Sequence, residues 1–155
     1  MDNRAVPLLV GEMNPYGADP HYALFCEPEN SAGGRLCRLV CALRRPTYLA
    51  INRTNLCSHR WIKEEARRRA GLMMACEKWN VIIMLGRKVS GAFGYRGDPF
   101  TKVDLPDYQL TLVSLPHPSG RCLAWNVPGA FDRARELLRE SCPDVPWGET
   151  LRPAD

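Results

Sequence analysis

Short apolar runs alternate along the chain with segments in which apolar residues recur at helical spacing. Runs of this length, bounded by turn residues, are typical of buried strands. They predict four strands, at Val6–Val10, Tyr48–Ile51, Val81–Leu85 and Leu110–Val113. The intervening periodicity predicts helices that begin at Ser31, near Ser58, at Arg87 and at Pro128. Strands that alternate with helices favour an α/β fold, with a four-stranded parallel sheet flanked by helices on both faces.

Polar and turn-forming residues follow the predicted strands. The segment Gly11–Gly17 comes after the first strand, Asn52–Asn55 follows the second, and Leu115–Arg121 follows the fourth and holds His117 between two prolines. The carboxyl ends of parallel strands meet at one edge of a sheet, where ligands commonly bind. We therefore expect a site at this edge, crossed by a loop over 19–30 that contains Phe25.

The composition is ordinary for a globular protein, with 45% hydrophobic and 25% charged residues. A chain of 155 residues fits one domain, which we expect to span 1–155. The net charge of +4 permits a polyanionic partner without requiring one. The basic cluster Arg67–Arg69 is most simply a solvated helix face.

Several classes of protein are disfavoured by the sequence. No apolar run approaches the roughly 18–20 residues that cross a bilayer, and the amino-terminal apolar segment is too short for a signal peptide. We therefore expect no membrane association and a cytoplasmic protein, or a nuclear one in a eukaryote. The seven cysteines include no C-x-x-C pair, which disfavours a disulfide framework or a metal site. No glycine-rich phosphate motif is present, so we expect no nucleotide cofactor.

Two motifs resemble those of the uracil-DNA glycosylase superfamily. Gly11-Glu12-Met13-Asn14-Pro15-Tyr16-Gly17 resembles its first motif, which includes G-Q-D-P-Y-H, G-M-N-P-G and G-E-A-P-G versions. His117-Pro118-Ser119-Gly120-Arg121 resembles its second motif. Weaker similarities lie between them, at Phe25 with Ala32–Leu36, at Asn55-Leu56-Cys57 and at Met84–Arg87. The resemblance covers residues 6 to 140 and implies the superfamily's four-stranded α/β fold.

The resemblance implies a monofunctional glycosylase that flips a uracil out of DNA and hydrolyses its bond to the sugar. A neutral His117 would donate a hydrogen bond to the departing base. Asn14 would position the water, and Glu12 is the carboxylate of the motif that could act as a base if Asn14 does not. Phe25 would stack on the base, while Asn55 or, as second choice, Asn52 would recognise its edge.

The remaining motif residues are implied to contact the base and the DNA. Tyr16 would fill the space beside C5 of uracil and so exclude thymine. Ser119 and the backbone at Gly120 would bind phosphate, and Arg121 would enter the gap that the extruded base leaves. The expected partner is uracil-containing DNA, bound by a monomer without cofactor or metal.

Two other functions stay open at this point. A binding module of the same fold could recognise a modified or deaminated pyrimidine without cleaving it, or act on a hypermodified one, and an unrelated α/β protein could bind a small nucleotide. A glycosylase leaves abasic sites that hot alkali cleaves, whereas a binding module shifts the mobility of DNA and leaves it intact. Fold resemblance alone does not decide between these functions.

Overall fold

The computed structural model describes residues 5–13 and 19–152. Within these residues five strands form one sheet: β1 (Pro7–Met13), β2 (Asn52–Cys57), β3 (Val81–Leu85), β4 (Thr101–Leu105) and β5 (Leu110–Leu115). Their order across the sheet is β2-β1-β3-β5-β4. Neighbouring strands are parallel except for β4, which pairs antiparallel with β5. The carboxyl ends of the four parallel strands therefore meet at one edge.

Helices pack on both faces of this sheet. They are α1 (Ala32–Arg35), which continues into a π-helical turn (Leu36–Val40), then α2 (Arg45–Leu49), α3 (Lys63–Ala75), α4 (Arg87–Ala92) and α5 (Ala130–Ser141). Residues of the π-helical turn and α5 share one hydrophobic core with Leu9 and Ile83. A second hydrophobic core lies on the other face of the sheet and contains Leu8, Ile82 and residues of α3 and α4. This division follows from the strand period, because successive side chains point to opposite faces of a sheet.

The α/β class and the parallel sheet with flanking helices are confirmed, and the number of strands is wrong. Val81–Leu85 is a strand with the bounds that the sequence predicted, and all of its residues are buried. Ser31 caps α1 as expected, since its Oγ accepts a hydrogen bond from the Gly34 N–H at 3.0 Å. None of the helices in the described ranges is long and apolar enough to cross a membrane.

The second strand was predicted in the wrong place. Tyr48–Ile51 was expected to be a strand, but Tyr48 and Leu49 belong to α2, which has Pro46 in its first turn. Proline suits this position because its fixed φ is that of a helix start. The true strand, β2, lies at the edge of the sheet, where only its last three residues are buried. Asn52 therefore begins the strand and Asn55 lies inside it, whereas both were expected to follow it.

A fifth strand, β4, lies between the predicted helix that begins at Arg87 and the predicted strand Leu110–Val113, where no strand was predicted. Its residues alternate between half-buried and exposed, as expected for a strand with one face on the core. Its pairing with β5 makes it the other edge of the sheet, and Lys102 and Asp104 point to solvent. Charged side chains of this kind protect an edge strand from pairing with other chains.

Candidate active site

A small pocket opens at the carboxyl edge of the parallel strands. Four of its lining residues are ones that the sequence proposed for the site: Glu12, Phe25, Asn55 and His117. Glu12 lies near the end of β1, Asn55 in the second half of β2, and His117 two residues after β5. The pocket volume is about 60 Å³. A volume of this size has room for a few water molecules or for part of one planar ring.

Asn55 is a buried amide without a hydrogen-bond partner among the described residues. The residue is 7% exposed, and neither Oδ1 nor Nδ2 bonds to any group in the described part of the chain. An unpaired buried polar group costs about 1–3 kcal/mol, and most are paired in native proteins. The unpaired donor and acceptor of Asn55 are therefore available to a ligand that enters the pocket.

Gly11 makes room for the Asn55 side chain. The two residues lie opposite each other in the β1–β2 ladder. A Cβ atom on Gly11 would lie 2.4 Å from Asn55 Oδ1 and 2.9 Å from Leu24 Cδ2. Only a residue without a side chain fits between these groups.

Gly11→Ala should therefore lower the free energy of unfolding by about 1–3 kcal/mol, the usual effect of overpacking. Urea denaturation monitored by circular dichroism measures the change. Gly71→Ala in α3 is the matched control, because a Cβ there meets nothing within 4 Å. That substitution should stabilise the protein by about 0.4–1 kcal/mol. Equal stability of Gly11→Ala and the parent protein would show that Asn55 can move aside at no cost.

The hydrogen bonds of His117 select one neutral tautomer. The backbone N–H of Ser119 donates to Nδ1 of His117 at 3.1 Å, so Nδ1 must be an unprotonated acceptor. The neutral ring then carries its proton on Nε2. No described residue accepts a hydrogen bond from that Nε2–H. His117 can therefore present a neutral N–H donor to a ligand.

The surroundings of His117 also favour its neutral form. Desolvation by burial lowers the pKa of His117 below its ordinary value of 6.5, while the nearby carboxylate of Glu12 raises it and the ammonium of Lys88 lowers it. Desolvation is the largest of these effects because the ring is partly withdrawn from water. The imidazole is therefore neutral at pH 7.

The loop that contains His117 is anchored on two sides. Trp125 donates its indole N–H to the carbonyl of His117 at 2.8 Å, and Arg35 donates Nε–H to the carbonyl of Pro118 at 2.9 Å. Trp125 is itself buried and stacks on Phe131 with ring centroids 5.1 Å apart. Because both anchors hold backbone carbonyls, they fix the position of the imidazole without using its ring nitrogens.

Phe25 is held by a second set of contacts. The Tyr48 hydroxyl donates to the carbonyl of Leu24, and Arg53 donates to the carbonyl of Ala23 at 2.9 Å. A Cβ on Gly33 would lie 2.1 Å from the carbonyl oxygen of Phe25, so α1 packs directly on the backbone of this loop. The half-buried Phe25 ring is thereby placed at the pocket wall.

The other predicted site residues have different positions. Asn52 is exposed at the start of β2 and does not line the pocket. Ser119 is half-buried and accepts a hydrogen bond from the Arg121 N–H at 3.1 Å, while Gly120 and Arg121 are exposed. Asn14 and Tyr16 lie outside the described residues, so their predicted roles stay predictions.

Two residues of this region were missed by the sequence analysis. Tyr22 lines the pocket and packs edge-to-face on Phe25 at 5.4 Å between centroids. Leu123 is 74% exposed, shortly after the second motif. The signal for Tyr22 was its aromatic ring three residues before Phe25. The signal for Leu123 was an apolar residue directly after a polar loop.

A second and larger cleft, of about 950 Å³, lies beside the pocket and is lined mainly by residues of 61–67, 86–99 and 114–116. Size alone would favour it as the active site. It contains neither the Glu12 and His117 pair nor an unpaired buried amide, so we place the chemistry in the smaller pocket. Within the described residues, no group of three His, Cys, Asp or Glu side chains is arranged to hold a metal ion.

Comparisons with known proteins do not assign a family. A scan against models of protein families found no match, and a search of curated proteins found no match either. The similarity of the two motifs to the uracil-DNA glycosylases therefore remains a prediction. The function has to be inferred from the residues of the pocket.

Proposed function

We propose that the chain is a DNA glycosylase that hydrolyses the bond between uracil, or a related deaminated pyrimidine, and deoxyribose. The observation that supports this most directly is the unpaired, buried amide of Asn55 in a pocket shared with Glu12, Phe25 and His117. The motif resemblance points to the same reaction, and the mostly parallel α/β sheet is of the general class that the resemblance implies.

The amide of Asn55 matches the edge of uracil. Its Oδ1 can accept a hydrogen bond from N3–H of the base, and its Nδ2 can donate to O4. The same amide turned by 180° would match cytosine, so the preference for uracil depends on one fixed orientation. The pocket holds little more than a ring edge, and Phe25 at its wall can stack on the face of the base, which contributes about 1–3 kcal/mol.

Cleavage of this bond requires a hydrogen-bond donor for the departing base and an activated water molecule for the sugar. As the bond from C1′ of the sugar to N1 of the base breaks, its electron pair leaves with the base and negative charge develops on O2. The Nε2–H of neutral His117 can donate to O2 and stabilise this charge. A water molecule adds to C1′ and gives up a proton, which the Glu12 carboxylate can accept. The uracil anion then takes up a proton from Glu12 or from water, so the products are an abasic sugar and free uracil.

Glu12 is the residue that we favour for the base role, and Asn14 is the alternative. Glu12 lines the pocket with His117, and an amide such as that of Asn14 cannot take up a proton at neutral pH. Asn14 could still orient the water. Glu12 is the only carboxylate among the described residues that line the pocket, and Nδ1 of His117 is occupied by the Ser119 N–H, so we assign the general-base role to Glu12.

The exposed loop after His117 faces the DNA in this proposal. Ser119 and Gly120 would contact phosphate, and Arg121 would enter the space left by the flipped base. Leu123 is a second candidate for that space, because apolar side chains are often inserted between base steps.

The proposal is tested with oligonucleotides that contain one uracil, cytosine, thymine or modified pyrimidine, in single-stranded and duplex form. A glycosylase should convert uracil substrates into abasic sites that hot alkali cleaves, and His117→Ala should do so about 10²–10³-fold more slowly. A mobility shift without alkali-sensitive sites would make the chain a binding module. Neither binding nor cleavage of any substrate would reject both functions.

The pKa of His117 should respond in opposite directions to two substitutions. Glu12→Gln removes the charge that raises this pKa and should lower it further, whereas Lys88→Met removes a charge that lowers it and should raise it. Titration of the ring signals by nuclear magnetic resonance measures both shifts. Shifts of the same sign would show that neither charge acts directly on His117.

A further inference from the structure

We infer that the larger cleft binds the sugar–phosphate backbone of a DNA strand that leads into the candidate active site. The identity of the strand as DNA rests on the proposed function, whereas the cleft and its charge do not. The cleft is separate from the residues that the sequence resemblance assigned to DNA contact.

The cleft concentrates positive charge. Five cationic side chains and one carboxylate line it: Lys63, Arg67, Arg87, Lys88, Arg96 and Asp98. All five cations are exposed, and none forms an ion pair with a described residue. Five like charges around one concave surface repel each other and attract a polyanion. With five cations and one carboxylate, the cleft carries a formal charge of +4, as large as the net charge of the whole chain.

Aromatic side chains lie among these cations. Trp61 and Tyr95 line the cleft and are half-buried, and the Lys88 ammonium lies 5.9 Å from the centre of the Trp61 ring. Basic grooves with aromatic rings are typical of surfaces that follow a single nucleic-acid strand. A site for a small molecule is commonly more apolar and more enclosed.

The cleft and the pocket share one boundary. Gly86 and Pro116 line the cleft, and His117 is the next residue after Pro116. A Cβ on Gly86 would lie 3.3 Å from His117 Cβ and 3.6 Å from Glu12 Oε1. A strand in the cleft therefore passes directly beside the pocket, where one of its bases could enter.

Arg67 and its neighbour Arg68 provide a matched test. Both are exposed on α3, but only Arg67 lines the cleft. Binding of an undamaged, fluorescently labelled single-stranded oligonucleotide is measured by anisotropy at several salt concentrations. Arg67→Glu and Arg96→Glu should each raise the Kd about tenfold at 0.1 M salt and reduce the salt slope by about 0.7, the value for one phosphate contact on a single strand. Arg68→Glu should change the Kd less than about threefold.

The outcomes separate this inference from the proposed function, because undamaged DNA reports on the cleft and uracil excision reports on the pocket. Weaker binding by the cleft variants alone supports the inference, whether or not uracil is excised. The inference would be overturned if Arg67→Glu and Arg68→Glu lost affinity equally, or if neither lost affinity. It would also be overturned if the protein did not bind DNA. It would also be overturned if free thymidine monophosphate displaced the oligonucleotide at equal nucleotide concentration, which would indicate a small-molecule site.

Discussion

Replacing His117 by alanine should lower the single-turnover rate of uracil excision by about 10²–10³-fold, the usual effect of removing one donor to a developing anion. The affinity for DNA should change little, because the donor acts mainly when charge builds on the base. The structure supports this role through the Ser119 N–H, which bonds to Nδ1 of His117 and leaves the proton on Nε2. Rapid-quench kinetics with enzyme in excess measures the chemical step.

A better leaving group distinguishes a donor from a structural histidine. The fluorine of 5-fluorouracil withdraws electrons and stabilises the departing anion, so His117→Ala should slow its excision less than that of uracil. Trp125→Phe is the matched control, because it removes the indole donor to the His117 carbonyl and leaves the imidazole in place. Trp125→Phe should slow the excision of uracil and of 5-fluorouracil by the same factor. If His117→Ala also slowed both excisions by the same factor, His117 would only order the loop.

The fold was most predictable where burial alone decides the structure. β3 lies in the middle of the sheet, and its five residues are all buried, so its apolar run could be recognised with its bounds. The run Tyr48–Ile51 has the same appearance, but a short apolar run fits a buried helix equally well. The Tyr48 side chain is fully buried and its hydroxyl supports the loop at Leu24, and such tertiary contacts leave no local pattern.

The edges of the sheet were predicted least well, for two different reasons. β2 contains mostly polar residues because an edge strand is only partly covered, so neither composition nor periodicity marks it. β4 did carry a signal, since Thr101, Val103 and Leu105 alternate with charged residues. That alternation over five residues is typical of a half-buried strand. The prolines and glycines that flank β4 are typical of a loop and outweighed this alternation.

The candidate site could be predicted to the extent that it depends on topology. Parallel strands bring Glu12 and His117 to one edge although they lie far apart in the chain. The choice between Asn55 and Asn52 depends on the residue at which β2 begins, and no local pattern in the sequence marks that residue. The basic cleft was also missed, because its cations come from α3, α4 and the loop that follows, and only the fold brings them together.

Asn55→Leu should abolish recognition of the base and leave the fold intact or more stable. Leucine has the same branching as asparagine and removes two buried polar atoms that have no partner among the described residues. Such a replacement is commonly neutral or stabilising for the free protein. In the complex, N3–H and O4 of uracil would each lose a partner at about 1–3 kcal/mol, which corresponds to a fall of roughly 10²–10⁴-fold in kcat/KM.

Thermal unfolding and excision kinetics of Asn55→Leu, measured together, separate recognition from packing. Asn52→Leu is the matched control, since Asn52 lies three residues earlier on the same strand, is exposed and does not line the pocket. We expect it to excise uracil at the parent rate. If Asn55→Leu were less stable than the parent protein but equally active, the buried amide would stabilise the fold and would not bind the base. If Asn52→Leu lost activity instead, the base would be bound nearer the start of β2, away from His117.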